Sequence, residues 1–316
     1  MNKKAYFEVL RSGINSTLQD LGRENQYHIG IPFSGAMDKR NFLIGNQLVS
    51  NKFDKPSIEF AYQGPHLKLK YGKVTCVITG NVSFNIIKNK KTSEGQCYMT
   101  FDLEADDEID ILSTNKSVYG YLSVSGGLQG ENLWGSYSVN TKAKIGSNNG
   151  EKYLEGEKIF LNNTENISNK KKIKYINSKI EYIRILEGTN FKYFSEKSKK
   201  IFFETKFNVS KLSDRMGMRL EGPKIENIVN ANIKSEGIVR GVIQIPADGN
   251  PIIMLSDHGT IGGYPKIGVV ISADYDKLVQ LAPGSKIKFK LINLLEAENL
   301  YKIYSMETQN ILNQIR

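Results

Sequence analysis

A mainly β fold made of two β-rich units is the architecture this sequence predicts, on three observations. Short apolar or alternating runs bounded by Gly, Asn or Asp follow one another across residues 57–124, and strands at that close spacing signify an all-β barrel or sandwich. A short pattern recurs, in which an apolar residue and a turn of acidic or small residues lead into an alternating strand: LEADDEIDI (103–111), LEGEKIFL (154–161) and LAPGSKIKF (281–289). This is the look of barrel-closing hairpins. Finally, SGAM at 34–37 with Gly64-Pro65 downstream is echoed by SDRM at 213–216 with Gly222-Pro223 downstream, which points to two copies of one unit.

The elements follow in order. Residues 6–10 are a short strand, and 11–35 form a long irregular segment punctuated by Gly13, Gly22, Gly30, Pro32 and Gly35; an ordered loop of that length tends to be functional. Asp38 is placed as the N-cap of a helix over 39–49, because its carboxylate can accept an orphan N–H of the first turn. Strands are predicted over 57–61, 66–71, 74–79, 82–87, 96–101, 108–112 and 120–124, and then a Gly/Ser/Asn-rich loop over 128–149. The polar, aperiodic run NNTENISNKKKIK (162–174) is the best boundary. The division expected is therefore an N-terminal unit 1–162, a linker 163–174, a C-terminal unit 175–293 and a helical tail 294–316. The second unit is read as strands over 181–186, 202–209, 215–222, 241–245, 251–255 and 266–271, a short helix over 273–281 capped by Ser272, and a strand over 285–291 with Ile287, Phe289 and Leu291 on one face.

The totals exclude several function classes. With 316 residues and a net charge of +10, the chain is long enough for two cores and is basic. The lysines are spread over outward strand positions rather than concentrated in a motif, so nucleic acid is not the expected partner. No apolar run is long enough to span a membrane, and MNKKAYFEVL lacks the apolar core of a signal peptide. Cys76 and Cys97 are the only cysteines, too few for a disulfide framework or a zinc pattern. The cytoplasm is the expected compartment, and no metal site is expected.

The chemistry concentrates in residues 241–268, GVIQIPADGNPIIMLSDHGTIGGYPKIG. This reads as a strand, a tight turn at 246–250, a second strand and a glycine-rich loop. A packed core has no need of Asp257, His258, Thr260, Tyr264 and Lys266 among Gly259, Gly262 and Gly263, whereas loops on rigid sheets commonly carry function. Asp248 and His258 are candidate bases, Lys266 a cation for a carboxylate or phosphate, and the glycines a nest of backbone N–H groups for an anion. His258, beside the Asp257 carboxylate, is expected to have its pKa raised toward neutrality. The catalytic set is thus Asp248, Asp257, His258 and Lys266; the substrate-binding set is Gln244, Gly262, Gly263 and Tyr264, with Arg215 and, from the first half, Arg23, Ser34 and Asp38. Each has a plainer alternative: an Asx-turn residue for Asp248, a loop histidine for His258, a strand-edge lysine for Lys266. No phosphate-binding loop is present, GSNNGEK (146–152) being a near miss, and no Met-Lys-Met segment offers a site for covalent biotin.

TLQDLGR (17–23), GIPFSGAMD (30–38), GNQLVSN (45–51), SDRMGMRLEGP (213–223), SEGIVRGVIQIPADGNPIIMLSD (235–257) and TIGGYPKIGVVISAD (260–274) together resemble the biotin-dependent carboxyltransferase family, also called allophanate hydrolase subunit 2. The resemblance runs over about 6–293 in the family's order. It implies two cyclophilin-like β-barrel units. Bacterial stand-alone members include the C subunit of ATP-dependent 5-oxoprolinase, which works with A and B subunits to convert 5-oxo-L-proline, ATP and two waters to L-glutamate, ADP and phosphate. Another member antagonises a sporulation-kinase inhibitor, to which the B subunit is related. The implied cofactor is ATP, used by the complex, with no covalent biotin on this chain. The alternatives are a regulatory protein that binds a kinase-inhibitor-like partner, and the carboxyltransferase of a urea carboxylase-type biotin enzyme. Asp257-His258-Gly259 stands where many relatives read Asp-Arg-Gln, a departure that bears on specificity.

Overall fold

The structure, a computed structural model, describes residues 4–162, 170–175, 181–229 and 232–315. Most of the expected linker lies outside them. The chain resolves into two units, each assembled from separated stretches: one holds Met1–Arg23, Ser34–Ile176 and Thr308–Arg316, the other Glu24–Phe33 and Asn177–Glu307.

The first unit carries β1 (Tyr6–Arg11), β2 (Thr17–Gln19), α1 (Lys39–Leu48), β3 (Ser57–Ala61), β4 (His66–Lys70), β5 (Lys73–Thr79), β6 (Ser83–Lys88), β7 (Lys91–Glu94), β8 (Phe101–Glu104), β9 (Glu108–Ser113), β10 (Tyr119–Val124) and β11 (Lys158–Phe160). They form two antiparallel sheets, β11-β1-β4-β9-β6-β7 and β2-β3-β10-β5-β8. Alternation sets their inner faces: in β4, HLKLK, Leu67 and Leu69 are buried and the lysines point out. Phe7, Leu69, Phe84 and Ile109 from one sheet meet Ile58, Phe60, Cys76 and Leu122 from the other in a single core. Every residue of β3 and of β10 is buried, and α1 packs on β10 and β5. Burial pushes the Cys76 thiol far up, so it is an inert core residue.

Two expectations from the sequence change here. Strand β8 begins at Phe101, where a run over 96–101 was expected, and β7 (KTSE) was missed because all four of its residues are exposed and it has no apolar face. LEADDEIDI is not a hairpin: β8 belongs to the five-stranded sheet and β9 to the six-stranded one, so the turn hands the chain across the core.

The second unit carries β12 (Ile183–Glu187), α2 (Glu196–Glu204), β13 (Phe207–Val209), β14 (Gly217–Glu221), β15 (Glu236–Gly237), β16 (Val242–Gln244), β17 (Ile252–Met254), β18 (Ile261–Gly262), β19 (Lys266–Val270), α3 (Ser272–Val279), β20 (Lys286–Ile287), β21 (Phe289–Leu291) and the part of α4 (Leu294–Gln314) up to Glu307, the rest of that helix being assigned to the first unit. Eight strands pair in the order β20-β13-β14-β17-β16-β19-β12-β21. The two ends of that sheet, β20 and β21, are the two halves of one SKIKFKL run interrupted at Lys288, so the sheet is a nearly closed barrel. Ile287 and Phe289 face inward as the alternation requires, whereas Leu291 is 37% exposed and leaves the expected face. The strand expected over 202–209 is corrected: α2 occupies its first part, with Ser195 accepting from the Ser198 N–H as N-cap. The buried Phe202 of α2 stacks on Phe289 with ring centroids 4.5 Å apart.

The mainly β expectation holds. Of the four α-helices among the described residues, three have 8–10 residues, but α4 has 21 and is not short. It buries Ala297 against Ile271, Ala273 and Ile292. Ser272 is the first residue of α3, and the cap position is Ile271 with no side-chain bond. Among the described residues no helix is long and apolar enough to cross a membrane.

Candidate functional site

In the second unit β16 and β17 pair as the expected hairpin, with Ile243 opposite Ile253 and Gln244 opposite Ile252. Gly249 sits at φ 74° and its N–H donates to the Pro246 carbonyl at 3.0 Å, the left-handed turn that a glycine makes cheaply. The Asp248 carboxylate accepts from the Asn250 N–H at 3.1 Å and from its side-chain amide at 2.8 Å. Partial burial pushes this carboxyl up, but the Asn250 hydrogen bonds and the Lys224 and Arg219 charges outweigh it, and its pKa ends below the usual value. Asp248 is thus an Asx-turn carboxylate of reduced basicity.

Past β17 the loop is anchored by a buried ion pair. Arg215 donates to both oxygens of Asp257, Nε at 2.8 Å and Nη2 at 3.1 Å, and the Asp257 N–H donates to the Arg215 carbonyl at 2.9 Å. The neighbouring Asp214 carboxylate accepts instead from the Met216 and Gly217 N–H groups. Asp257 is therefore committed to holding the loop. His258 is fully buried. Its Nδ1 lies 2.6 Å from the Gly259 carbonyl, and its Nε2 lies 3.4 Å from the Tyr27 hydroxyl. The two rings stack at 5.9 Å. The contact to the carbonyl makes Nδ1 the protonated nitrogen and leaves Nε2 as the acceptor. The expected rise of its pKa does not occur. Burial lowers it and outweighs the rise from the Gly259 carbonyl contact, Arg240 lowers it further, and the pull of Asp257 is the smallest influence.

The third grouping is around Lys266, which opens β19 and is only 3% exposed. Its Nζ lies 2.7 Å from Glu236 Oε2, and its N–H donates to Asn190 Oδ1 at 3.1 Å. The Asn190 amide and the Thr189 hydroxyl approach the same Glu236 carboxylate at 3.5 Å. The Lys266 hydrogen bond leads the interactions that hold the Glu236 carboxyl below its ordinary range. Gln244, 4% exposed, donates to the Tyr264 carbonyl at 3.4 Å. A Cβ on Gly262 would lie 2.2 Å from Ile238 Cδ1 and 2.6 Å from Gln244 Nε2, so any other residue there would displace the ends of those two side chains. None of Gly259, Gly262 and Gly263 has a positive φ, so the αR-αL form of the expected nest is not present at them. Gly262 is in a two-stranded ribbon with Glu236, and the Gly263 carbonyl accepts from Ile233.

Arg23, Ser34 and Asp38 belong to the first unit, and each is built into its interior. Arg23 donates to the Ser138 carbonyl beside Asp20, whose carboxylate takes the Ser136 and Ser138 hydroxyls and the Tyr137 N–H. Ser34, at φ 56°, accepts from Asn140 at 3.3 Å. Asp38 caps α1 as expected, accepting from the Asn41 N–H at 3.0 Å. Its own N–H donates to Tyr121, whose hydroxyl donates to the buried Glu59.

Sequence reasoning missed Glu236, Asn190, Tyr27 and Arg240. Glu236 and Arg240 lie in the SEGIVRG run, where nothing in their spacing marked them. Tyr27 and Asn190 are far away in sequence and carried none. Among the described residues no group of three or more His, Cys, Asp or Glu could hold a metal ion.

The carboxyltransferase domain, subdomains A and B, matches residues 29–291, a range that takes in this hairpin, loop and lysine, and the chain belongs to that family. It is 31% identical over 309 residues to the C subunit of 5-oxoprolinase from Haemophilus influenzae, covering 98% of this chain and 97% of that protein. It is 27% identical to the corresponding 5-oxoprolinase protein of Escherichia coli, over 92% of each chain. The crystal structure of Kluyveromyces lactis urea carboxylase superposes with a TM-score of 0.87 at 26% identity, covering 98% of this chain and 30% of that one.

Proposed function

We propose that this chain is the C-type component of an ATP-dependent 5-oxoprolinase, acting in the cytoplasm with A-type and B-type subunits to open 5-oxo-L-proline to L-glutamate. The observation that carries this reading is the end-to-end correspondence with the two bacterial 5-oxoprolinase proteins, in contrast to the urea carboxylase, of which the chain matches only a part. The lactam is a stable amide and a poor electrophile. ATP consumed by the complex supplies activation, by phosphoryl transfer to the lactam oxygen, and water then attacks an imidate-like carbon. Such a site needs a cation, a neutral proton acceptor and a polar group to orient the amide. Lys266, His258 Nε2 and Gln244 have these properties in the second unit. His258, held neutral by burial, can accept a proton near pH 7 without first losing one.

The test is glutamate release from 5-oxo-L-proline by the purified chain with its A and B subunits. Lys266→Ala is expected to lower kcat by about 100-fold or more, the loss typical of removing a preorganised charge from an active site. Full activity without this chain, or none with all three present, overturns the reading. A second reading, carboxyl transfer from a carboxybiotin carrier to a urea-like substrate, is favoured by the superposition on urea carboxylase. It requires a biotinylated partner, which an avidin blot of material captured by this chain would reveal.

A further inference from the structure

Around the loop of the second unit, the buried cations Arg215 and Lys266 are each matched by a carboxylate, Asp257 and Glu236 respectively. Arg240 differs. Half-buried at the entry to β16, it has no carboxylate within ion-pair distance among the described residues. Its guanidinium carbon lies 4.5 Å from the centre of the Tyr275 ring and 5.1 Å from that of Phe33. A guanidinium carries its N–H donors in one plane, in the fork that matches a carboxylate, and a ring lying on its flat face leaves those donors available. Besides these two rings, its neighbours include the Tyr27 phenol and the buried His258, on both of which it acts electrostatically. Burial pushes the Tyr275 phenol to about 12 against the opposing pull of Arg240, so the ring beside the cation stays neutral and supplies no counter-charge.

We propose that Arg240 is a carboxylate anchor, which takes the carboxylate of a small organic acid on the open edge of its guanidinium while Phe33 and Tyr275 hold its face. Choosing 5-oxo-L-proline as that acid rests on the functional reading above. The anchor fixes the acid end of the ligand and leaves its remaining polar groups to be read by other side chains of the unit.

The experiment is calorimetric titration of the full chain with 5-oxo-L-proline and with its neutral counterpart 5-oxo-L-prolinamide, paired with proton NMR titration of the His258 ring. Wild type is expected to prefer the acid by about 10- to 100-fold, the range for a charge-assisted hydrogen-bonded contact. Arg240→Gln is expected to abolish the preference, and Arg240→Lys to keep a reduced part of it through its charge alone. In wild type the acid should raise the His258 midpoint by neutralising a nearby cation, and the amide should not. In Arg240→Gln the midpoint should start higher and not respond. Equal binding of acid and amide, no binding of the acid, or a preference that survives in Arg240→Gln overturns the proposal. A purely structural arginine would lower the melting temperature when replaced and change both ligands alike. An active complex with no acid preference here removes the anchor alone. An acid preference in a chain that supports no glutamate release removes the reaction assignment alone.

Discussion

Removing one member of the Arg215–Asp257 pair leaves the other charged and buried, which costs more than the pair contributes. Asp257→Asn is therefore expected to destabilise the chain by about 3–5 kcal/mol, read as a lower urea midpoint at unchanged slope. Arg215→Met in the same chain should recover much of that loss. If the single variant unfolds like wild type, the pair is not the loop's anchor. His258 makes a prediction of opposite character, concerning protons rather than contacts. Its pKa is lowered by burial from an ordinary 6.5, so the unfolded chain binds its proton first as pH falls. Stability is unaffected well above that value and declines as pH drops through 6.5 toward the lowered folded value. His258→Gln should remove that part of the slope in urea titrations between pH 7 and 5; a slope identical in the two proteins would show that the ring titrates as if exposed.

Among the elements, the closing seam of the second barrel is held by a cluster of phenylalanine rings. Phe202 of α2 is fully buried and stacks on Phe289 of β21 at 8° between ring planes, with Phe207 of β13 at 5.8 Å. Phe202→Ala should cost about 3–5 kcal/mol and should open the seam, measured as faster amide exchange in residues 286–291 than in β16. Exchange that accelerates evenly would mean that the seam has no separate stability. This same helix shows the limit of reading the sequence. Strands with clean alternation, such as HLKLK and the SKIKFKL run, were legible because one face is buried. Helix α2 was not, because EKSKKIFFE ends in the apolar run IFFE that reads equally as strand, and only the tertiary position of Phe202 decides. The candidate site divides in the same way. The hairpin, the loop and Lys266 were visible as residue types out of place in a core. Their partners Glu236, Asn190 and Tyr27 were not visible, since ion pairs and ring stacks between distant segments leave no periodicity.

For the whole molecule, the important fact is that the second unit is not a sequential piece of chain. It recruits Glu24–Phe33 from the N-terminal loop, and that segment brings Tyr27 to His258 and Phe33 to Arg240. Part of the long irregular segment after β1 thus belongs to the second unit, which it meets through half-buried Tyr27 and Phe33. A fragment of residues 177–316 lacks it. In that fragment the His258 ring should lose its stacked cover and regain solvent, so that its midpoint moves up toward 6.5, the value from which burial lowers it. The fragment's urea midpoint should fall as well. A synthetic peptide of residues 24–33 added in trans should restore both, whereas the same peptide with Tyr27→Ala and Phe33→Ala should restore neither. If His258 titrates in the fragment as it does in the full chain, the segment is an ornament of the barrel rather than part of it.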